Sequence, residues 1–214
     1  LENCWIDSDV LDQGVERFLR VASVVKAFRS MRIGQISVRP RTFLTVKINE
    51  NELLEKFGID IVTIDYTEIN GEIQNVLAER PAGMLDILGE LKETYDVSAM
   101  SEEALAKLAA METAILNLAD RYECTCFASE CWRTFSVPHG IMPCAGFADM
   151  TRRNVPVACE CDLQGAISSV LLQAAGMWQT PSFLADLTIR HPKNDNAELL
   201  WHCGPAPAGL AGAG

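Results

Sequence analysis

No apolar run in this sequence is long enough to read as a membrane span, and its amino end lacks the charged, apolar and small-residue succession of an export signal. Positive charge is scarce: 18 Lys and Arg stand against 29 Asp and Glu, a net charge of −11. The acids are dispersed, and such a balance disfavours nucleic acid or an anionic membrane as the main partner. Three motifs are missing too. Without G-x-G-x-x-G, G-x-x-x-x-G-K-[ST] or G-x-S-x-G, dinucleotide, P-loop and serine-hydrolase functions have nothing to stand on. The expectation is a soluble protein of the cytoplasm.

What is present is a core. Of 214 residues, 49% are hydrophobic, enough for one large domain or one domain with part of another. A chain with that much core needs no disulfide staples, so its eight cysteines are expected as reduced thiols. The sequence starts at Leu1 and finishes in the small-residue segment Pro205–Gly214, and both ends are expected to be cut points, with 205–214 a flexible tail.

Helical and extended patterns alternate. Leu11, Val15, Phe18, Ala22 and Val25 recur at helical spacing and predict an amphipathic helix packed on something. Arg32–Val38 reads as a buried strand ended by Pro40. Asn51–Phe57 reads as a short helix capped by Asn49 or Asn51 and closed by Gly58, and Ile59–Asp65 as a strand, together a βαβ unit with a parallel crossover. Ile69–Asp96 is predicted helical with interruptions at Pro81 and Gly83, and Ser101–Tyr122 helical throughout. Cys124–Ala128 and Val155–Cys159 read as strands, Ala148–Arg153 as a helix, and Ile167, Val170, Leu171 and Ala174 mark a buried helical face. This rhythm predicts a Rossmann-like α/β fold, a parallel sheet with helices on both faces, over residues 1–178. After Thr180 the pattern turns extended, so 179–214 is expected to begin a truncated second, β domain.

The chemistry gathers between Val155 and Gly204. Glu160 follows the apolar run Val157-Ala-Cys, where the carboxyl end of a buried strand presents a side chain to a crevice. Asp162 sits where a helix N-cap belongs. Asp186 follows Ser182-Phe-Leu-Ala, and His202 follows Leu199-Leu-Trp. Two carboxylates and one imidazole suit Mn²⁺, Mg²⁺ or a similar divalent ion better than structural zinc. The Cys124-Thr-Cys126 and Cys159-Glu-Cys161 pairs send both thiols to one strand face and lack the C-x₂-C knuckle that wraps zinc, so buried thiols are the simpler reading.

The segments Ala158-Cys-Glu160-Cys-Asp162-Leu-Gln-Gly165, Phe183-Leu-Ala-Asp186-Leu and Leu200-Trp-His202-Cys-Gly204 resemble the L-fucose isomerase and L-arabinose isomerase superfamily, with Glu130-Cys-Trp132 and Met142-Pro-Cys144 in keeping. The resemblance spans about residues 15–207 and is most specific in the last third. It implies a metal-dependent aldose–ketose isomerase working through an enediolate, with Mn²⁺ or another divalent ion held by Glu160, Asp186 and His202. Glu160 and Asp186 are implied as acid and base, and Glu130 and Trp132 as sugar contacts. It further implies a homo-oligomer, trimeric or hexameric. Members are longer, so this chain would correspond to their middle domain and the first strands of the last. A non-catalytic sugar-binding or structural module keeping the motifs is the alternative.

Overall fold

The computed structural model describes residues 5–202 and 204–211. Strands β1 (Arg32–Ile36), β2 (Asp60–Ile64), β3 (Cys126–Ser129) and β4 (Val157–Cys159) form one sheet in the order β2-β1-β3-β4, every pair parallel. Parallel neighbours need long crossovers, and helices supply them. Helix α1 (Asp9–Arg29) precedes the sheet, and α2 (Glu50–Phe57) joins β1 to β2. Helices α3 (Tyr66–Glu79), α4 (Ala82–Thr94) and α5 (Glu102–Tyr122) lead to β3, α6 (Ser136–His139) and α7 (Cys144–Arg152) lead to β4, and α8 (Leu163–Ala175) follows.

Strand residues alternate between two cores. Ile33, Cys126, Ala128 and Ala158 pack with Leu163, Ala166 and Val170 of α8, with Phe28 and Leu53 at the margin. Ile36, Ile64, Phe127, Val157 and Cys159 pack on the other side against α3, α4, α5 and α7. The sheet is therefore covered on both faces, as the rhythm of the sequence predicts.

Local chemistry sets the helix ends. Ser8, Asn49, Asp65, Ser101 and Asp162 cap α1, α2, α3, α5 and α8, each accepting a hydrogen bond from a first-turn N–H. Gly58 closes α2 at φ 71°.

Several expectations need correction. No residue of α1 is buried, and Phe18 is 70% exposed. The helix runs along α8, where Arg20 Nη1 donates to Ala175 O at 2.8 Å, so one helix covers only part of its apolar stripe. Pro81 does separate α3 from α4, but Gly83 lies within α4, and α7 begins at Cys144 rather than Ala148. Cys124 and Cys126 enter opposite cores, because Cys124 precedes the strand and is free of its alternation. In the tail, Pro205 and Pro207 are buried and Ala208–Leu210 forms a 3₁₀ turn near α7, so this stretch packs on the body.

Beyond α8, strands β5 (Asp186–Arg190) and β6 (Glu198–Trp201) pair antiparallel as a separate hairpin with an irregularity between Leu187 and Ile189. All nine of their residues are exposed.

One buried acid cluster ties α5 to α7. Asp149 is fully buried and takes Arg152 Nε at 2.9 Å and Arg153 Nε at 2.6 Å. Burial works against its ionisation, but the two guanidiniums outweigh it and hold its carboxyl below the usual range. Glu112, equally buried, has neither oxygen facing a donor. Burial and the neighbouring Asp149 charge push it well above the usual range and favour its neutral form.

Two measurements follow from this packing. A methyl at Gly34 would meet Phe127 Cε1 at 2.3 Å inside the core, whereas one at Gly71, in mid-α3, meets nothing within 4 Å. Gly34→Ala is expected to lower the unfolding free energy by roughly 1–3 kcal/mol, and Gly71→Ala to raise it by about 0.5–1 kcal/mol, both read by urea denaturation. Glu112, with a folded pKa above its ordinary 4.5, contributes stability that is full below that value and lost as pH rises through the raised one. Glu112→Gln should therefore flatten the decline in stability above pH 4.5 and leave the variant more stable than the parent near neutrality.

Candidate active site

The carboxyl ends of β1, β3 and β4 are stitched together by the backbone. Glu130 N donates to Ile36 O at 3.1 Å, and Cys161 N to Ser129 O at 3.2 Å. Ser129 and Cys159 stand opposite each other in the β3–β4 register, so Glu130 and Glu160, one residue on, emerge side by side at the sheet's edge.

Glu160 and Cys161 both take left-handed backbone, at φ 56° and 54°, although neither is glycine. Each such residue costs about 1–2 kcal/mol, a strain that clusters where a turn must aim a side chain. The turn closes at once: Asp162 N donates to Cys159 O at 2.9 Å, and the Asp162 carboxylate caps α8 by accepting from Gly165 N at 3.0 Å. A Cβ at Gly165 would lie 2.7 Å from that carboxylate, which explains the glycine of the E-x-D-x-x-G segment. Asp162 thus has the capping role.

A pocket of about 320 Å³ opens beside this turn, lined by Cys131, Trp132, Met142, Cys144, Glu160 and His202 among others. His202 arrives from the end of β6. Its ring is 5% exposed, its Nδ1 lies 2.9 Å from Asp186 Oδ2, and its Nε2 is buried without a partner. A carboxylate accepts, so Nδ1 is the donor to Asp186 and Nε2 is the nitrogen left without a partner. A Cβ at Gly204 would fall 2.1 Å from His202 Nε2 and 3.0 Å from Cys159 Sγ, so only glycine leaves room for the imidazole. Cys203 of the same motif lies outside the described residues.

Of the three expected metal-site residues, Glu160 and His202 line one pocket and Asp186 touches only the Nδ1 of His202; among the described residues their three ligand atoms do not all lie within 4.8 Å of one another. Burial pushes the Glu160 carboxyl above its ordinary range; the negative charges of Asp186, Asp162 and Glu130 add to this, and His202 opposes it. Asp186 joins the group through His202, in the arrangement of a carboxylate that orients a metal-ligating histidine. An orphaned buried imidazole nitrogen beside a carboxylate fits a divalent cation. Two thiols expected merely as buried groups enter the same neighbourhood: the Sγ atoms of Cys131 and Cys159 and a Glu160 oxygen lie within 4.8 Å of one another. The interaction of the two neighbouring thiols, with burial, raises the Cys159 thiol above its ordinary range and draws that of Cys131 below it.

The two expected sugar contacts behave differently. Trp132 is 42% exposed and stacks edge-on with Phe43, ring centres 5.4 Å apart. Glu130 is buried, and its carboxylate accepts from Arg133 N (3.1 and 3.0 Å), Thr134 N (2.8 Å) and Thr134 Oγ1 (2.8 Å), which fixes the turn carrying Trp132. A second pocket of about 590 Å³ adjoins, lined by Ser37–Thr42, Tyr66 and Glu130–Thr134 residues that include Arg39, Arg41 and Arg133. These arginines went unnoticed in the sequence. The available signal was two cations, Arg39 and Arg41, directly after a buried strand in a chain poor in positive charge.

No family model matches the chain. It is, however, similar over nearly its whole length to proteins named sulfoquinovose isomerase. The one from Priestia aryabhattai is 26% identical over 205 residues, 96% of this chain and 45% of its own length. That from Alkalicoccus urumqiensis is 24% identical over the same shares, and that from Clostridium sp. (strain MSTE9) is 25% identical over 211 residues, 93% of this chain and 43% of its own. The chain therefore spans less than half the length of these relatives.

Glu130→Ala would strand three donors of the Trp132 turn. It is expected to lower the unfolding free energy by roughly 1.5–3 kcal/mol, measured by urea denaturation.

Proposed function

We propose that this chain carries the metal-binding and proton-transfer part of an aldose–ketose sugar isomerase, an intramolecular oxidoreductase acting through an enediolate. The observation that carries the reading is the meeting of Glu160 and the unpartnered His202 Nε2 at one pocket at the sheet's carboxyl edge, with Asp186 on the other nitrogen of His202. The similarity to sulfoquinovose isomerases supports it and favours an enzyme over a structural module. Sulfoquinovose is accordingly the first sugar to test.

Mn²⁺ or another divalent ion would be held by Glu160 and His202, with Asp186 beside it. Such an ion, when bound, polarises the sugar's carbonyl and neighbouring hydroxyl and so acidifies the C2 proton. Glu160 takes that proton from C2 and returns it to C1; a carboxylate raised by burial is a stronger base than an exposed one, which suits this work. Asp186 orients His202 by accepting from Nδ1 through one oxygen, and its other oxygen is assigned the transfer of the proton between the sugar's O1 and O2. Trp132 walls the pocket against water. Residues 1–178 as one domain, 179–214 as the start of another, a homo-oligomer and a cytoplasmic setting belong to the same proposal. Among the described residues, no helix is long and apolar enough to cross a membrane.

The test is an isomerisation assay of the protein containing this chain, with Mn²⁺, on sulfoquinovose and a panel of aldoses. Glu160→Gln should lower kcat by roughly a hundredfold to ten-thousandfold with folding unchanged by circular dichroism. In the parent, kcat/KM should climb as pH rises through a Glu160 pKa above 4.5. Isomerisation that survives Glu160→Gln would sink the assignment.

A further inference from the structure

Positive charge is rare in this chain, yet three arginines meet at one concavity. The pocket of about 590 Å³ is walled by Arg39 and Arg41 from the loop after β1 and by Trp132 and Arg133 from the turn after β3. Its place in the topology is telling. The chain leaves β1 outward to β2, then returns to lay β3 on the other flank of β1, so the order reverses between β1 and β3. Crevices at such reversals are where open α/β sheets take ligands.

The electrostatics of the pocket point to an anion. Arg39, Arg41 and Arg133 have no carboxylate partner among the described residues, which is true also of Arg17, Arg29, Arg80 and Arg190; what sets the three apart is that they share one pocket. Glu130, the one acid in the wall, has its carboxylate committed to Arg133 N, Thr134 N and Thr134 Oγ1. Arg39 Nη1 donates to the carbonyl oxygens of Pro40 (2.9 Å) and Phe43 (2.6 Å), which sets the loop and leaves Nη2 and Nε for a ligand. A molecule with a net charge of −11 repels anions at long range, so an anionic ligand needs such a local reversal of sign.

Trp132 belongs to the walls of both this pocket and the Glu160–His202 pocket. A sugar with its carbonyl end at Glu160 therefore extends past Trp132 toward the arginines. We infer that Arg39, Arg41 and Arg133 form the subsite for a sulfonate carried on the sugar at the end away from its carbonyl. The orientation rests on the isomerase reading of Glu160; the anion subsite itself does not. Guanidinium forks match the tetrahedral oxygens of sulfonate and phosphate alike, and an uncharged sugar would offer the three cations no counter-charge. The relatives' name, which specifies a sulfonated sugar, selects sulfonate between the two.

Calorimetric titration of the protein containing this chain with sulfoquinovose, glucose and glucose 6-phosphate tests the inference. Glucose has a hydroxyl where sulfoquinovose has the sulfonate. Sulfoquinovose should bind at least roughly tenfold more tightly than glucose, and added salt should erode the difference. In the double variant Arg41→Met/Arg133→Met, whose exposed side chains leave the fold intact by circular dichroism, the ratio should fall toward one. Equal binding of the two sugars, no measurable binding of sulfoquinovose, or a preference that survives the double variant overturns the inference. Glucose 6-phosphate binding as tightly as sulfoquinovose overturns the choice of sulfonate. Turnover followed in parallel separates the two proposals: preference without isomerisation sinks the isomerase, and isomerisation without preference sinks the arginine subsite.

Discussion

A parallel sheet covered on both faces leaves polar side chains one exit, the ends of its strands. Glu130, Glu160 and the three arginines obey that constraint, whereas Asp186 and His202 are brought to the same edge by the hairpin. Strands β1, β3 and β4 pair in a register that brings Ser37, Glu130 and Glu160 to one edge, and backbone hydrogen bonds from Glu130 to Ile36 and from Cys161 to Ser129 lock the three ends together. The site is therefore rigid where the scaffold supplies it, and its two pockets share Trp132 because β3 lies between β1 and β4.

Burying a carboxylate costs several kcal/mol unless something answers the charge, and this chain answers it in three ways. Asp149 keeps its charge by taking two arginines, and its neighbour Glu112 gives its charge up. Glu130 surrounds itself with N–H and O–H donors. Glu160 has no such partner; it stays half-buried, raised, and near a histidine. Among these four, only the acid at the strained turn is left with unspent capacity to bind or move a proton, which is what distinguishes a reactive carboxylate from a structural one.

Most of the helices, the four sheet strands and the caps at Asn49 and Asp162 were legible because they follow from local patterning and hydrogen-bond capacity. Glu160, Asp186 and His202 stand out in the sequence because their polar character interrupts apolar runs. What escaped reading depends on neighbours distant in sequence. The apolar stripe of α1 has the right period, but period says nothing about whether a second surface exists to cover it. The Cys-X-Cys pairs drew attention by spacing, whereas the thiols that meet, Cys131 and Cys159, are joined only by the β3–β4 pairing. Arg133 and Arg39 stand far apart in the chain, and the reversal of strand order is what makes them neighbours.

The hairpin that delivers Asp186 and His202 is the weakest part of this arrangement. A lone two-stranded ribbon is marginal in water, and every residue of β5 and β6 is exposed, including Leu187, Ile189 and Trp201. What fastens its end is the buried His202 ring, seated beside Cys159 in the space that Gly204 leaves open. Fastening it leaves Nε2 buried and unpaired, a cost of about 1–3 kcal/mol. A ligand at Nε2 would remove that cost and at the same moment hold the hairpin to the sheet, so binding and local ordering are one equilibrium. The two halves of the site, Glu160 on the rigid sheet edge and His202 on the loosely supported ribbon, are thus coupled through whatever occupies the pocket between them.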